Sequence, residues 1–138
     1  MGRQTMTRIA ADTNILVRAI TEDHPEQSKA AQATLRNAEI VAISIPALCE
    51  LVWVLSQGYK VSLRDIADTI RALLNSSNVV VNRPMAEAGL SLLDAGGDFA
   101  DGVIAYEGRW LGAETFLSFD KKAVKLIEAG GGTAQLLA

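Results

Sequence analysis

"GGDFADGVIAYEGRW", residues Gly96 to Trp110, poses the problem on which the fold turns. Two glycines end one helix and release another, whose first turn carries Asp98 and Asp101 just ahead of a strongly apolar run. Helical spacing puts the two aspartates on one side, with Cβ atoms roughly 5–6 Å apart. Phe99, Val103, Tyr106 and Trp110 form a neighbouring core stripe, so the pair borders the buried side. Like charges that close repel unless something positive sits beside them.

Outward from that helix, short apolar runs rich in β-branched residues alternate with longer helical patterns, the signature of βαβ units around a parallel sheet. Upstream, Pro84 starts the helix "PMAEAGLSLLDA", which ends at Gly96 and Gly97. Downstream come the strand "ETFLSF", the helix "KKAVKLIEAGG" and a fifth strand, "TAQLL". The N-terminal half opens with the strand "TRIAAD" (Thr7 to Asp12), the short helix "NILVRAIT" and a solvent-facing helix, "HPEQSKAAQATLRNAE". The strand "IVAISI" (Ile40 to Ile45) leads through Pro46 into the helix "PALCELVWVLSQGY", closed near Gly58. "SLRDIADTIRALLNS", with Ser62 and Asp65 in capping-box spacing, and the strand "NVVVN" complete the series.

At 138 residues and 49% hydrophobic content, the chain is expected to be one domain, 1–138, with one core and a frayed start over residues 1–6. A single cysteine, Cys49, excludes an internal disulfide and any multi-thiolate metal site, which points to a reducing cytoplasmic compartment. The longest apolar stretch, Ile40 to Leu55, contains Pro46 and Glu50 and falls short of the roughly 20 clean residues of a membrane span. The formal charge of −3 argues against a phosphate-backbone ligand unless cations supply the missing positive charge.

Five carboxylates fall at the carboxyl edge of the expected sheet, where ligands bind in open α/β folds. Asp12 ends the first strand, Asp120 the fourth, Glu50 lies in the second turn of its helix, and Asp98 and Asp101 lie in the first turn of theirs. Each has a structural reading as well. Asp12, Asp98 and Asp120 are good helix caps, and a first-turn acid complements the helix dipole. Glu50 is harder to explain that way. Its neighbours Leu48, Cys49, Leu51, Val52, Trp53, Val54 and Leu55 make the helix apolar nearly all round, so it is expected to be enclosed and in need of a cation, with no Lys or Arg within a turn. Converging carboxylates with one histidine and one cysteine point to a hard, oxygen-bound divalent ion, Mg²⁺ or Mn²⁺. Such an ion serves phosphodiester hydrolysis.

"ADTNIL" at Asp12, "IPALCELVWVL" at Glu50, "DFADGVIA" at Asp98 and Asp101, and "FLSFDKKA" at Asp120 together resemble the PIN domain, and within it the VapC-type toxin ribonucleases of toxin–antitoxin modules. The resemblance covers nearly the whole chain. It implies a three-layer α/β/α fold with a parallel sheet of four or five strands in the order 3-2-1-4-5. It also implies an Mg²⁺- or Mn²⁺-dependent endoribonuclease. Asp12, Glu50, Asp101 and Asp120 match the four acidic positions that bind metal and carry catalysis, and Asp98 matches an accessory acid. Asn14, with Thr13 or Ser118, matches polar positions that orient the acids or metal-bound water. Gly102 stands where a small residue, commonly alanine, is expected. The implied partners are an RNA substrate, a cognate antitoxin and a second subunit, as a homodimer or a toxin–antitoxin hetero-oligomer, with no membrane.

Substrate contacts are less determined by the sequence. Lys121, Lys122, Lys125, Arg18 and Arg109 can approach phosphates, although solvation is the commoner fate of such lysines. Trp53 and Trp110 can stack on bases, but their apolar neighbours favour core packing. An aspartyl-phosphate phosphatase is disfavoured because its second aspartate is here Asn14, and a phosphoacceptor domain because its paired acids are missing. A PIN-like binding module without catalysis is the remaining alternative.

Overall fold

The computed structural model describes residues 7–138, so the frayed start expected over residues 1–6 lies outside the described residues. These form two compact units: the first takes in residues up to 62 together with 68–82, the second 63–67 and 83–138.

In the first unit, strand β1 (Arg8–Ala10) leads to helix α1 (Thr13–Ile20), helix α2 (Pro25–Asn37), strand β2 (Ile40–Ala42) and helix α3 (Ile45–Trp53), with strand β3 (Val79–Val80) closing the sheet. The strands are parallel in the order β1-β2-β3, with Ile9 opposite Val41 and Val41 opposite Val79. Pro25 and Pro46 sit at helix starts, where a missing N–H costs nothing. Ser44 accepts a hydrogen bond from Ala47 N to cap α3. The core consists of Leu16 and Val17 from α1, Val41 and Ile43 beside β2, and Leu48, Leu51 and Leu55 from α3 and the turn that follows it. As expected, α2 is mostly solvent-facing, burying only Ser28 and Ala31.

The sequence predicts one continuous helix from Pro46 to Tyr59, but the α-helix ends at Trp53 and continues as a π-helical turn, Val54–Gly58. Tyr59 N donates to Val54 O at 3.2 Å, the wider hydrogen bond of that geometry. Past it, Tyr59 donates its hydroxyl to Asp23 Oδ2 at 2.7 Å. This ties the end of the turn to the loop before α2.

Helix α4 (Leu63–Leu74) buries Ile66, Ile70 and Leu74, the apolar spacing read from the sequence. The rest of the second unit runs helix α5 (Arg83–Asp94), helix α6 (Phe99–Trp110), strand β4 (Phe116–Ser118), helix α7 (Lys121–Ala129) and strand β5 (Ala134–Leu136). β4 and β5 pair in parallel, with Leu117 opposite Gln135. The predicted order 3-2-1-4-5 is thus present as 3-2-1 in one hydrogen-bonded sheet and 4-5 in another.

Gly96 adopts φ +94°, the left-handed conformation that ends α5 and turns the chain into α6. The two helices then pack so closely that a Cβ on Gly102 would lie 2.4 Å from the Ala88 carbonyl oxygen. Only glycine fits there. Phe99, fully buried, fills the space over Gly89 in the same contact.

Candidate active site carboxylates

In the first unit, β1 delivers Asp12 to its carboxyl end, where the residue is the N-cap of α1 and its Oδ1 accepts from Thr13 N at 2.8 Å. Thr13 begins the helix and aims its hydroxyl at α3, donating to Glu50 Oε1 at 2.6 Å. Asp12 and Glu50 therefore approach the same short segment of α1, one through its backbone and the other through Thr13. Asn14 is exposed and makes no side-chain hydrogen bond among the described residues.

Glu50 departs from the sequence-based expectation. It is exposed rather than enclosed. The period of 3.6 residues explains why: α3 buries Ala47, Leu48, Leu51 and Val52 on one face and turns Pro46, Glu50 and Trp53 to the other. Expected core positions for the tryptophans are overturned on the same ground, since Trp53 is 67% and Trp110 74% exposed. Arg18, considered as a phosphate contact, is engaged within the protein: its Nε donates to Gln27 Oε1 at 2.7 Å, and its Nη1 lies 3.7 Å from Asp23.

In the second unit, Asp98 is the N-cap of α6, its Oδ1 accepting from Ala100 N at 3.2 Å, and Asp101 follows in the first turn. Asp120 ends β4 and caps α7, its Oδ1 accepting from Lys122 N at 2.9 Å and Ala123 N at 3.2 Å. Ser118 Oγ accepts from Asp120 N at 3.0 Å and fixes the turn that carries the carboxylate. The capping role and the functional reading of Asp12, Asp98 and Asp120 do not compete, because each cap uses Oδ1 alone.

Asp101 is the electrostatic centre of this group. Partial burial raises its pKa above the ordinary carboxylate value, and the negative charges of Asp98 and Asp120 push in the same direction. No lysine or arginine pairs with Asp98, Asp101 or Asp120 among the described residues. Lys121, Lys122 and Lys125 are exposed along α7, and Arg109 is exposed near the end of α6. A cavity of about 500 Å³ in this unit is lined by Leu92, Gly102, Ala105, Phe116, Leu117 and Leu126, and none of these three aspartates borders it.

The donor set is entirely oxygen, which suits a hard divalent ion and not zinc. The repulsion at Asp101 is what such an ion relieves. Against this, no group of three or more His, Cys, Asp or Glu side chains among the described residues is arranged to hold a metal ion. What the structure brings together is Asp12, Thr13 and Glu50 in one unit and Asp98, Asp101, Ser118 and Asp120 in the other. His24 starts α2 without making a side-chain cap, and Cys49 is half-buried in α3.

Sequence reasoning missed two features of these surroundings. The exposed face of α3 was legible as Glu50 and Trp53 spaced three apart, opposite Leu48 and Leu51. The Asp23–Tyr59 bond joins residues 36 apart and had no local signal.

No helix is long and apolar enough to cross a membrane among the described residues. Comparison with known protein families matches residues 9–128 to the PIN domain, a span that begins in β1 and ends in α7 and so contains every carboxylate described above. PIN domains are generally nucleases. No curated protein matches the chain. With the match running over most of its length, the chain belongs to the PIN domain family.

Proposed function

We propose that the protein is an Mg²⁺- or Mn²⁺-dependent endoribonuclease, the toxin of a toxin–antitoxin module, acting in the cytoplasm. The observation that carries this reading is the set of acids at helix starts within the PIN match, Asp12, Asp98 and Asp120 as caps and half-buried Asp101 in the first turn after Asp98, with no basic partner for Asp98, Asp101 or Asp120 among the described residues. PIN domains usually use divalent ions, and the acids that fit them here are Asp12 and Glu50 in the first unit and Asp101 and Asp120 in the second, with Asp98 accessory.

When bound, the divalent ion supplies Lewis acidity toward the phosphodiester and the attacking water. The chain supplies the rest. Thr13 holds Glu50 in one orientation through its 2.6 Å hydrogen bond. Ser118 fixes the backbone on which Asp120 is mounted. Asp98 orders the first turn that presents Asp101. Asn14, exposed on α1, takes the part of orienting water in this proposal. No side-chain nucleophile is required, and neither His24 nor Cys49 is offered as one.

The acidic site also accounts for partners of the kind the toxin reading needs. Carboxylates without basic partners accept an arginine from a neutralising antitoxin readily. A homodimer or a toxin–antitoxin hetero-oligomer is part of the same proposal.

The competing reading is a PIN scaffold that binds RNA or protein without cutting, and the lack of a ready three-acid cage among the described residues favours it. Incubating the protein with single-stranded RNA and Mn²⁺, with and without EDTA, separates the two. Cleavage that EDTA stops supports the nuclease, and intact RNA that stays bound supports the scaffold.

A further inference from the structure

We propose that Trp53 is a stacking platform for a base of the RNA substrate, next to the phosphate handled at Glu50; this rests on the nuclease reading above. Trp53 is 67% exposed, whereas Leu48 and Leu51 on the other face of α3 are fully buried and Val52 is 5% exposed. The helix does not need this indole for its core. Trp53 follows Glu50 by three residues, which places the two Cβ atoms roughly 5–6 Å apart on one helix face. A nucleotide carries its base and its phosphate on one sugar, so two neighbouring side chains on one helix face are within its reach.

The composition of the face selects RNA over a protein partner. Along it lie Pro46, Glu50 and Trp53, all exposed, with Trp53 the sole large apolar side chain among them. A stable protein dock buries on the order of 800 Å² per partner around a well-packed apolar centre. A lone exposed aromatic beside a carboxylate, with no apolar neighbour on its face, suits single-stranded nucleic acid, since every base has a π-face. Trp110 is also exposed, but it lies nine residues beyond Asp101 on α6, about 13 Å along the helix axis. One nucleotide does not bridge that distance to the acids.

The π-helical turn Val54–Gly58 begins immediately after Trp53, and π-turns often accompany functional sites. Here it stops the α-helical register at the platform, while the hydrogen bond from Tyr59 to Asp23 secures its far end. The tryptophan is thereby mounted on a segment fixed at both sides.

The chain has two tryptophans, so W110F leaves Trp53 as its sole fluorophore of that type. We expect a short fluorescein-labelled single-stranded RNA to quench Trp53 emission saturably in the full-length D101N/W110F protein with Mn²⁺, which binds without cutting. W53A should weaken RNA affinity by between about five- and a hundredfold, the worth of one base–aromatic stack. W53F and W53Y should restore most of it. In the active W110F protein, W53A should raise KM by a similar factor while kcat stays within about twofold.

Emission that does not move while anisotropy reports bound RNA overturns the platform and leaves the nuclease standing, and so does unchanged RNA affinity in W53A with loss of self-association. RNA that does not bind overturns it as well. Quenching without EDTA-sensitive cleavage by W110F removes the nuclease reading and keeps the stack. Should W53A fail to fold, the quenching and the W53F and W53Y affinities decide.

Discussion

Thr13 and Glu50, 37 positions apart in sequence, share a 2.6 Å hydrogen bond in which the threonine hydroxyl donates to Oε1. Among the described residues it is the one side-chain link of Glu50, and it orients a carboxylate that is otherwise open to solvent. A group that orients a metal-binding carboxylate is typically worth 10–100-fold in metal affinity. T13A is therefore expected to weaken Mn²⁺ affinity by about that factor, read by calorimetry or by the Mn²⁺ dependence of RNA cleavage, and T13S to recover it. Unchanged affinity in T13A would remove Thr13 from the site.

D12N and D101N are expected to lower Mn²⁺-dependent RNA cleavage by at least about a hundredfold, the scale of losing one group that stabilises transition-state charge. Circular dichroism should remain that of the native fold. Full activity in either variant defeats the proposed roles.

The partial burial of Asp101, reinforced by the charges of Asp98 and Asp120, has a thermodynamic signature. Its folded-state pKa is raised, so ionising it is opposed in the folded chain, and folding is penalised at pH values above the raised pKa. The penalty shrinks as pH falls through that value and is gone below the ordinary 3.8. Without divalent ions, D101N should melt slightly above wild type at pH 7, and the gap should close on acidification. Added Mn²⁺ should raise the Tm of wild type more than that of D101N.

Asp23 titrates in the opposite sense. The Tyr59 hydroxyl holds its pKa below the ordinary 3.8, followed by smaller help from Thr21 and Arg18. This stabilisation is present above pH 3.8 and is lost as pH falls through the lowered value. Y59F should reduce the denaturant midpoint at pH 7 with the m-value unchanged, and the difference from wild type should vanish in strong acid. A pH-independent gap would assign the effect of Tyr59 to packing instead.

G102A inserts a methyl group where the Ala88 carbonyl oxygen already lies 2.4 Å from the Cβ position. Forcing α5 and α6 apart is expected to cost about 1–3 kcal/mol, as overpacking usually does. Urea unfolding measures it. A neutral result would mean that the helices separate freely.

These cases show how unevenly the sequence discloses the molecule. Helix ends were legible, because Pro25, Pro46, Asp98, Asp120 and Gly96 act on their own backbone and its immediate neighbours. The parallel strand pairs followed from the alternation of apolar runs. Glu50 was misjudged because its apolar neighbours were counted along the chain, whereas a helix sorts them by angle and leaves Glu50 beside Trp53 in solvent. Gly102 looked like a mild departure from alanine until the distance to Ala88 gave it a steric reason. The π-turn after Trp53 depends on hydrogen bonds that no residue type announces.

The caps built by Asp12, Asp98 and Asp120 carry one last consequence. With Oδ1 engaged by backbone amides, Oδ2 is the freer oxygen of each side chain, which favours one-point coordination. Donors of low denticity suit a small ion that keeps its own hydration and favour it over calcium, whose larger shell often draws on both oxygens of a carboxylate. The same division of labour separates architecture from charge, because asparagine retains the amide-accepting oxygen and alanine does not. Amide replacements at these positions should therefore leave the helix ends closed, while truncations should fray them and silence the chemistry together.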